Sequence, residues 1–416
     1  MTRLRGGALL GVLLIISACG EGTPVSNAPE PSDGGSAAPS GSGAASEAPS
    51  GDITFWTAED NQARVDAMKA TIAKFTQASG INVETVAIAE DQLQSQITSA
   101  VAAGTLPDVF GALSLGFIHS LAADDIADPA AAQAVVDKLG RDTFSARSLE
   151  LVTADGNLVA VPSDSWTQLL VYRKDLFEAQ GLAAPDNFAA IQAAAKALNT
   201  GGKAGIVLST GPDAFTQQTF EHFAVANDCQ LTDDQGGVTL ASQQCVDTFN
   251  FYTSLVNEGS VAGLQDADTT RAAYFAGNAA MIVWSSFLLD ELAGLRNDAP
   301  PACPECQADP LFLAKNSGVV TALKGNGATE AQFGELVSFA ISKDSNTAAA
   351  QAFVEYMMSE GYVEWLALAP EGKFPTRLGT AENPTEYADA WATLPAGVET
   401  KKPLGEVYPK DVVEEL

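Results

Sequence analysis

Short β-branched and aromatic runs alternate with segments of helical period from residue 53 onward, and this alternation constrains the fold more than any other feature of the chain. "ITFWT" (Ile53–Thr57) reads as a buried strand. In the segment that follows, Val65, Met68, Ile72 and Phe75 fall on one face of a helix, and the turn Ala78–Gly80 ends it. "INVETVAI" (Ile81–Ile88) reads as a second strand. A further helix stops at Gly104, and a third strand starts at Pro107-Asp108. Strands that alternate with helices predict parallel sheets covered on both faces, an α/β chain.

The pattern continues with less regularity. Asn157–Phe177 holds two apolar segments interrupted by a polar, proline-containing stretch, "PSDS". "DNFAAIQAAAKAL" predicts an alanine-rich helix and "GKAGIVLST" a following strand. In "AAYFAGNAAMIVWSSFLLDEL" a helix ends at a Gly277-Asn278 turn, and a buried strand runs to Trp284. Ala349, Ala352, Phe353, Tyr356 and Met357 recur at helical spacing, an amphipathic helix near the end. No internal repeat is present.

The chain begins differently. Arg3 and Arg5 precede an apolar run, Ala8–Ile16, too short for a bilayer span of roughly 20 residues. Ser17 and Ala18 close it, the three-part pattern of a signal peptide over residues 1–18. Ile16-Ser17-Ala18-Cys19 resembles the lipobox of bacterial lipoproteins, with Ile16 where leucine is usual; the resemblance implies lipidation of Cys19 and a cell-membrane, extracellular location. Residues 20–51 are rich in Gly, Ser and Pro and contain one Val and no aromatic residue. Such a stretch buries too little apolar surface to offset its ordering entropy, so residues 19–51 are expected to form a lipidated, flexible tether. The fold is expected to begin at about Asp52.

Removing Cys19 leaves Cys229, Cys245, Cys303 and Cys306, an even number in an oxidising compartment. Three pairings are possible, and a zinc site is conceivable; the expectation is two local disulfides, Cys229–Cys245 and Cys303–Cys306. With 22 basic and 52 acidic residues the net charge is −30, which argues against a nucleic-acid partner.

The motifs of hydrolytic, zinc-dependent and nucleotide-binding enzymes are missing, and His119 and His222 are the only histidines. No catalytic residue, metal or cofactor is expected. The aromatic residues are more informative. Trp56, Trp166 and Trp284 each sit at a strand end or strand–loop boundary. Polar company is close by: Glu59 and Asp60, Asp164 and Gln168, Ser285 and Ser286. Flat rings cover the C–H face of a sugar, while carboxylates and amides take its hydroxyl hydrogens. Ligands of open α/β sheets gather at the carboxyl ends of strands.

Four ordered landmarks add a family resemblance. They are "LPDVF" (Leu106–Phe110), "VPSDSWTQLLVYRKDLF" with Arg173 in place of an asparagine, "YFAGNAAMIVWSS", and the late segment from Phe333 through "GKFPTR". Together they resemble the extracellular solute-binding proteins of ATP-binding-cassette importers, in the oligosaccharide-binding, maltose-binding-protein-like family. The resemblance implies a two-lobe periplasmic-binding-protein-like (class II) α/β fold with a ligand cleft between the lobes. One lobe would comprise 52–163 plus 336–369, the other 164–335 plus 370–416. Ligand-binding positions implied in the cleft are Trp56, Glu59, Asp60, Ser114, Asp164 and Trp166 from the first half of the chain. From the second half come Trp284, Ser285, Arg377 and the loop Phe333, Gly334 and Glu335, which stands where the family has Gly-Gly-Trp. The implied function is capture of a sugar or oligosaccharide by a monomeric, lipid-anchored receptor that closes about a hinge and delivers it to a permease. The same fold with a polyol, glycerol phosphate, peptide or osmolyte is the alternative, followed by a lipid-anchored glycoside hydrolase and a purely structural surface lipoprotein.

Overall fold

The computed structural model describes residues 49–233, 237–295, 299–327 and 330–394. The signal peptide, Cys19 and all but the last residues of the tether lie outside the described residues. Among the described residues ten strands occur in chain order: β1 (Ile53–Thr57), β2 (Val83–Ala87), β3 (Val109–Ser114), β4 (Thr153–Ala154), β5 (Asn157–Leu158), β6 (Val161–Arg173), β7 (Met281–Ser285), β8 (Ser317–Val320), β9 (Gly334–Ile341) and β10 (Phe374–Pro375). The first three are those the alternation predicts. Helix Gln62–Ser79 buries Val65, Met68, Ile72 and Phe75 as expected, and Asn61 caps its start by accepting from the Arg64 amide. Gly80 and Gly104 end the first two helices at φ 77° and 65°, a left-handed turn that glycine adopts without steric cost.

The sheet is mixed, which corrects the expectation of parallel sheets. Its order is β10-β6-β9-β3-β1-β2, with β7 and β8 also paired to β6. Only β1–β2 and β1–β3 are parallel; β9 runs antiparallel to both β3 and β6, and β6 is antiparallel to β7, β8 and β10. The cause is the return of the chain late in sequence: β9 enters between β3 and β6 from the opposite end.

Strand β6 is continuous over 13 residues, although its sequence reads as two pieces. Its first half pairs with β9 and β10 and its second half with β7 and β8. The polar residues Ser163, Asp164, Ser165 and Thr167 are buried within it. Pro162 is tolerated at a register shift against β9. Residues 202–210, expected as a strand, contribute only isolated bridges, Lys203 to Thr200, Ala204 to Ala279 and Val207 to Ile282.

Among the described residues, two large apolar cores and a small satellite at Ala224, Cys229 and Cys245 result. The larger packs the helices on either side of β1, β3 and β9 around Phe55, Phe339 and Phe353. The smaller gathers Phe188, Ile191, Phe223, Phe251 and Val283 on the far half of β6. Cys229 is bonded to Cys245 and Cys303 to Cys306, the local pairing expected and not a zinc site.

Candidate ligand cleft

A cavity of about 350 Å³ opens where the carboxyl ends of β1 and β3 meet the middle of β6 and the end of β7. The chain leaving β1 supplies Ala58, Glu59 and Asp60, and β3 supplies Ala112 and Ser114. Ala112 has φ 54°, an uncommon conformation for a residue with a Cβ, at the irregularity where β3 slips against β9. Cross-strand register explains the next pair. Trp166 of β6 stands opposite Glu335 of β9, so both side chains leave the same face of the ladder and line the cavity. Trp284 and Ser285 close the wall from β7. Phe215 packs on Trp284 at 5.3 Å between ring centroids, and the Trp284 indole N–H is fixed by donating to the Ala267 carbonyl.

One side of the cavity is a buried ion network. The Arg64 Nη1 donates to Glu59 Oε1 at 3.1 Å, and Lys373 Nζ lies 3.8 Å from Glu59 Oε2. Lys373, only 2% exposed, also donates to Asp164 Oδ2 at 3.1 Å. Asp164 Oδ1 accepts from Trp365 Nε1 at 2.7 Å and from the Ser163 hydroxyl at 2.8 Å. The ammonium of Lys373 lies 4.6 Å from the Trp365 ring centre, and the Arg64 guanidinium covers Phe287 at 4.7 Å. Two cations and two anions thus offset one another, and the network ties the β1 loop, β6 and the segment before β10 into one wall.

The opposite side is acidic. Glu335 accepts from Gln218 Nε2 at 3.0 Å. Burial pushes its carboxyl up to about 7, with the neighbouring charges of Glu90 and Glu221 adding to the shift. Burial also raises Glu90, reinforced by Asp60 and Asp91. The chamber therefore has aromatic walls, a neutral ion network on one side and carboxyl groups of reduced acidity on the other.

Of the positions expected from sequence, Glu59, Asp60, Ser114, Trp166, Trp284, Ser285 and Glu335 are brought together around this cavity. The others are not. Trp56 meets Phe110 edge-on at 6.1 Å and does not line it. Asp164 is fully buried behind the wall, its carboxylate taken by Lys373, Trp365 and Ser163. Arg377 is enclosed by the carbonyls of Leu139 and Met358, the Thr143 hydroxyl and Tyr387, and burial lowers the pKa of its guanidinium. These bonds tie the segment just after β10 to Leu139, Thr143 and Met358. Phe333 packs against Trp166 from outside, ring centroids 6.1 Å apart, and with Gly334 stays off the lining. Conversely, Arg64, Glu90, Phe215, Gln218, Phe287 and Lys373 line the cavity without having been singled out. Phe215 and Gln218, three apart, share a helix face; that spacing was visible in sequence but does not distinguish a cavity face from a core face.

With this geometry the comparisons with known proteins agree. The chain belongs to the bacterial extracellular solute-binding proteins, whose family model matches residues 70–396. It is 27% identical over 329 residues to YcjN of Escherichia coli strain K12, named as an ABC transporter periplasmic-binding protein, covering 78% of this chain and 72% of that one. Among solved structures, maltose-bound MalE3 of T. maritima superposes with a TM-score of 0.67 at 20% identity, covering 88% of this chain and 92% of the other. A solute-binding protein of Agrobacterium radiobacter K84 in complex with ribitol gives 0.67 at 18% identity, again covering 88% and 92%. The fold is the two-lobed α/β architecture of these binding proteins, with β6 common to both halves of the sheet.

Proposed function

We propose that the chain is the lipid-anchored receptor of an ABC importer, binding an uncharged sugar in the cavity between β1, β6 and β7 and passing it unaltered to a permease. The observation that supports this reading best is the lining: Trp166 and Trp284 present apolar ring surface, while Glu59, Asp60, Gln218 and Glu335 supply hydroxyl acceptors and donors beside it. The relatives named for a periplasmic-binding role and for maltose and ribitol support the solute class.

The lobes are divided as the family resemblance implies, with β6 and β9 as crossing strands, save that the segment 374–391 is counted with the first lobe, where Thr376 and Arg377 bond Pro162, Leu139, Thr143 and Met358 and Tyr387 packs on Tyr362. A ligand that touches both lobes favours the closed arrangement by its differential affinity for it. Lipidation at Cys19 and the tether up to Gly51 keep the receptor at the extracellular face of the cell membrane near its permease, raising effective concentration. Arg64 and Lys373 are occupied by Glu59 and Asp164, which disfavours a phosphate-bearing solute.

The test is a thermal-shift screen of mono- and oligosaccharides and polyols, followed by chromatography of the recovered ligand. A sugar that raises the melting temperature and is recovered intact supports the proposal. Trp166→Ala is expected to weaken its binding about ten-fold or more, an aromatic contact being worth roughly 1 kcal/mol beyond its buried area. Turnover to products, or no sugar-dependent shift, overturns it. A shift with a linear polyol alone, insensitive to Trp166→Ala, replaces the sugar by a polyol.

A further inference from the structure

One helix holds Trp284 at two points. The indole N–H donates to the carbonyl of Ala267, the first residue of helix Ala267–Phe275. Arg271, four residues further on, leaves the same face of that helix one turn later. Long side chains on a helix lean back toward its start. The Arg271 guanidinium accordingly comes over the Trp284 ring, its Cζ 5.6 Å from the ring centre, within the range of a cation–π contact. The start of the helix is itself fixed. Asp266 and Thr269 form a reciprocal capping box, and the Gln265 carbonyl just before it accepts from the amides of Thr210 and Gly211.

The guanidinium is held in turn. Its Nη1 donates to Glu291 Oε1 at 3.2 Å and its Nη2 to Asp268 Oδ1. Glu291 is fully buried on helix Phe287–Leu292, which follows Trp284 in the chain. Arg271 is thus stretched between two carboxylates with the indole beneath it, behind the wall and outside the cavity lining. The two contacts on Trp284 act differently. A hydrogen bond at one edge leaves the ring able to pivot about that point, whereas a cation over its face removes the pivot. Phe215 does not replace it, since its ring meets the indole tilted at 54°. A planar guanidinium can stack on a ring and bond two carboxylates at once; an ammonium is a point charge.

We propose that Arg271 is a positioning residue of the cleft: from behind the wall it fixes the plane in which Trp284 presents its ring to the ligand. The inference rests on the sugar reading above and adds to it a residue that touches no ligand. Its contribution is preorganisation, because a ring already immobilised loses no further freedom when a sugar lies on it.

The intact protein labelled with 5-fluorotryptophan has five indoles, and Trp284→Phe identifies the fluorine resonance of Trp284. In Arg271→Met that resonance is expected to shift or split while the other four hold their places. Calorimetric titration with maltose, xylobiose, laminaribiose and ribitol supplies the second readout. For the probe that binds the wild type most tightly, Arg271→Met is expected to weaken binding about five-fold. Arg271→Lys, which keeps a cation beside Glu291, should fall between the two in both readouts. If Arg271→Met fails to fold, Arg271→Met with Glu291→Gln removes the stranded carboxylate and is measured in its place. An Arg271 with a purely structural role would lower the melting temperature alone. An unmoved Trp284 resonance, binding within two-fold of wild type, or a lysine variant no better than the methionine one therefore overturns the proposal. Failure of all four probes to bind the wild type counts against the sugar reading, and the fluorine spectrum then decides on Arg271 by itself.

Discussion

Replacing Lys373 by methionine removes the cation at the centre of the cavity wall while keeping most of its volume. In the folded protein Lys373 Nζ lies 3.1 Å from Asp164 Oδ2 and 3.8 Å from Glu59 Oε2. Asp164 is fully buried and Glu59 nearly so. At an effective dielectric constant near 20, the closer pair alone carries a Coulomb attraction of about 5 kcal/mol. Part of that offsets the desolvation of the ammonium, so the observable loss is smaller, and removing one partner of a buried pair typically costs 3–5 kcal/mol. The expected destabilisation for Lys373→Met is therefore about 4 kcal/mol. Adding Asp164→Asn to Lys373→Met should recover a substantial part of the loss, because the uncompensated charge is gone. Urea unfolding followed by tryptophan fluorescence reads both effects. A Lys373→Met protein within 1 kcal/mol of wild type at pH 7, or a double variant no better than the single, would refute the claim that this network holds the wall together.

Two further predictions concern stability. Glu335 titrates near 7 in the folded protein against an ordinary 4.5, so between those values the folded state holds a proton that the unfolded chain has released, and stability falls as pH rises through that window. Glu335→Gln should abolish this decline, leaving a flatter melting-temperature profile than wild type from pH 4.5 to 7; parallel profiles would contradict the assignment. Among the disulfides, Cys229–Cys245 spans 16 residues and Cys303–Cys306 spans 3. Chain entropy then assigns them about 3 and about 2 kcal/mol, so replacing the first pair by alanines should lower unfolding free energy more than replacing the second, and the reverse order would count against it.

How far the sequence reveals this molecule depends on how local the determining contacts are. Ile53–Ser114 is legible as strand, helix, strand, helix, strand because each element is specified by its own periodicity and by Gly80 and Gly104 at the turns. Strand β6 is not legible as one piece. Its Ser163 and Asp164 look like a loop until Lys373, 209 residues away, and Trp365, 201 away, satisfy them in the interior. The same distance effect governs the site. Glu59 and Trp166 stand out because polar and aromatic residues at strand ends are few and local, whereas Glu335 is implied only by the family resemblance. Asp164 and Arg377 carry the same chemistry but spend it on buried partners that no spacing rule reveals. Arg64, Glu90 and Gln218 went unnoticed because each lies within or at the start of an ordinary helix, where charged and amide side chains are expected on the solvent side.

Isothermal titration of the wild-type protein with the sugar that gives the largest thermal shift bears most directly on the receptor reading. Saturation at one ligand per chain is expected, with a negative heat-capacity change from covering the rings of Trp166 and Trp284 and an unaltered sugar recovered afterward. Heats that never saturate with any sugar or polyol would contradict it.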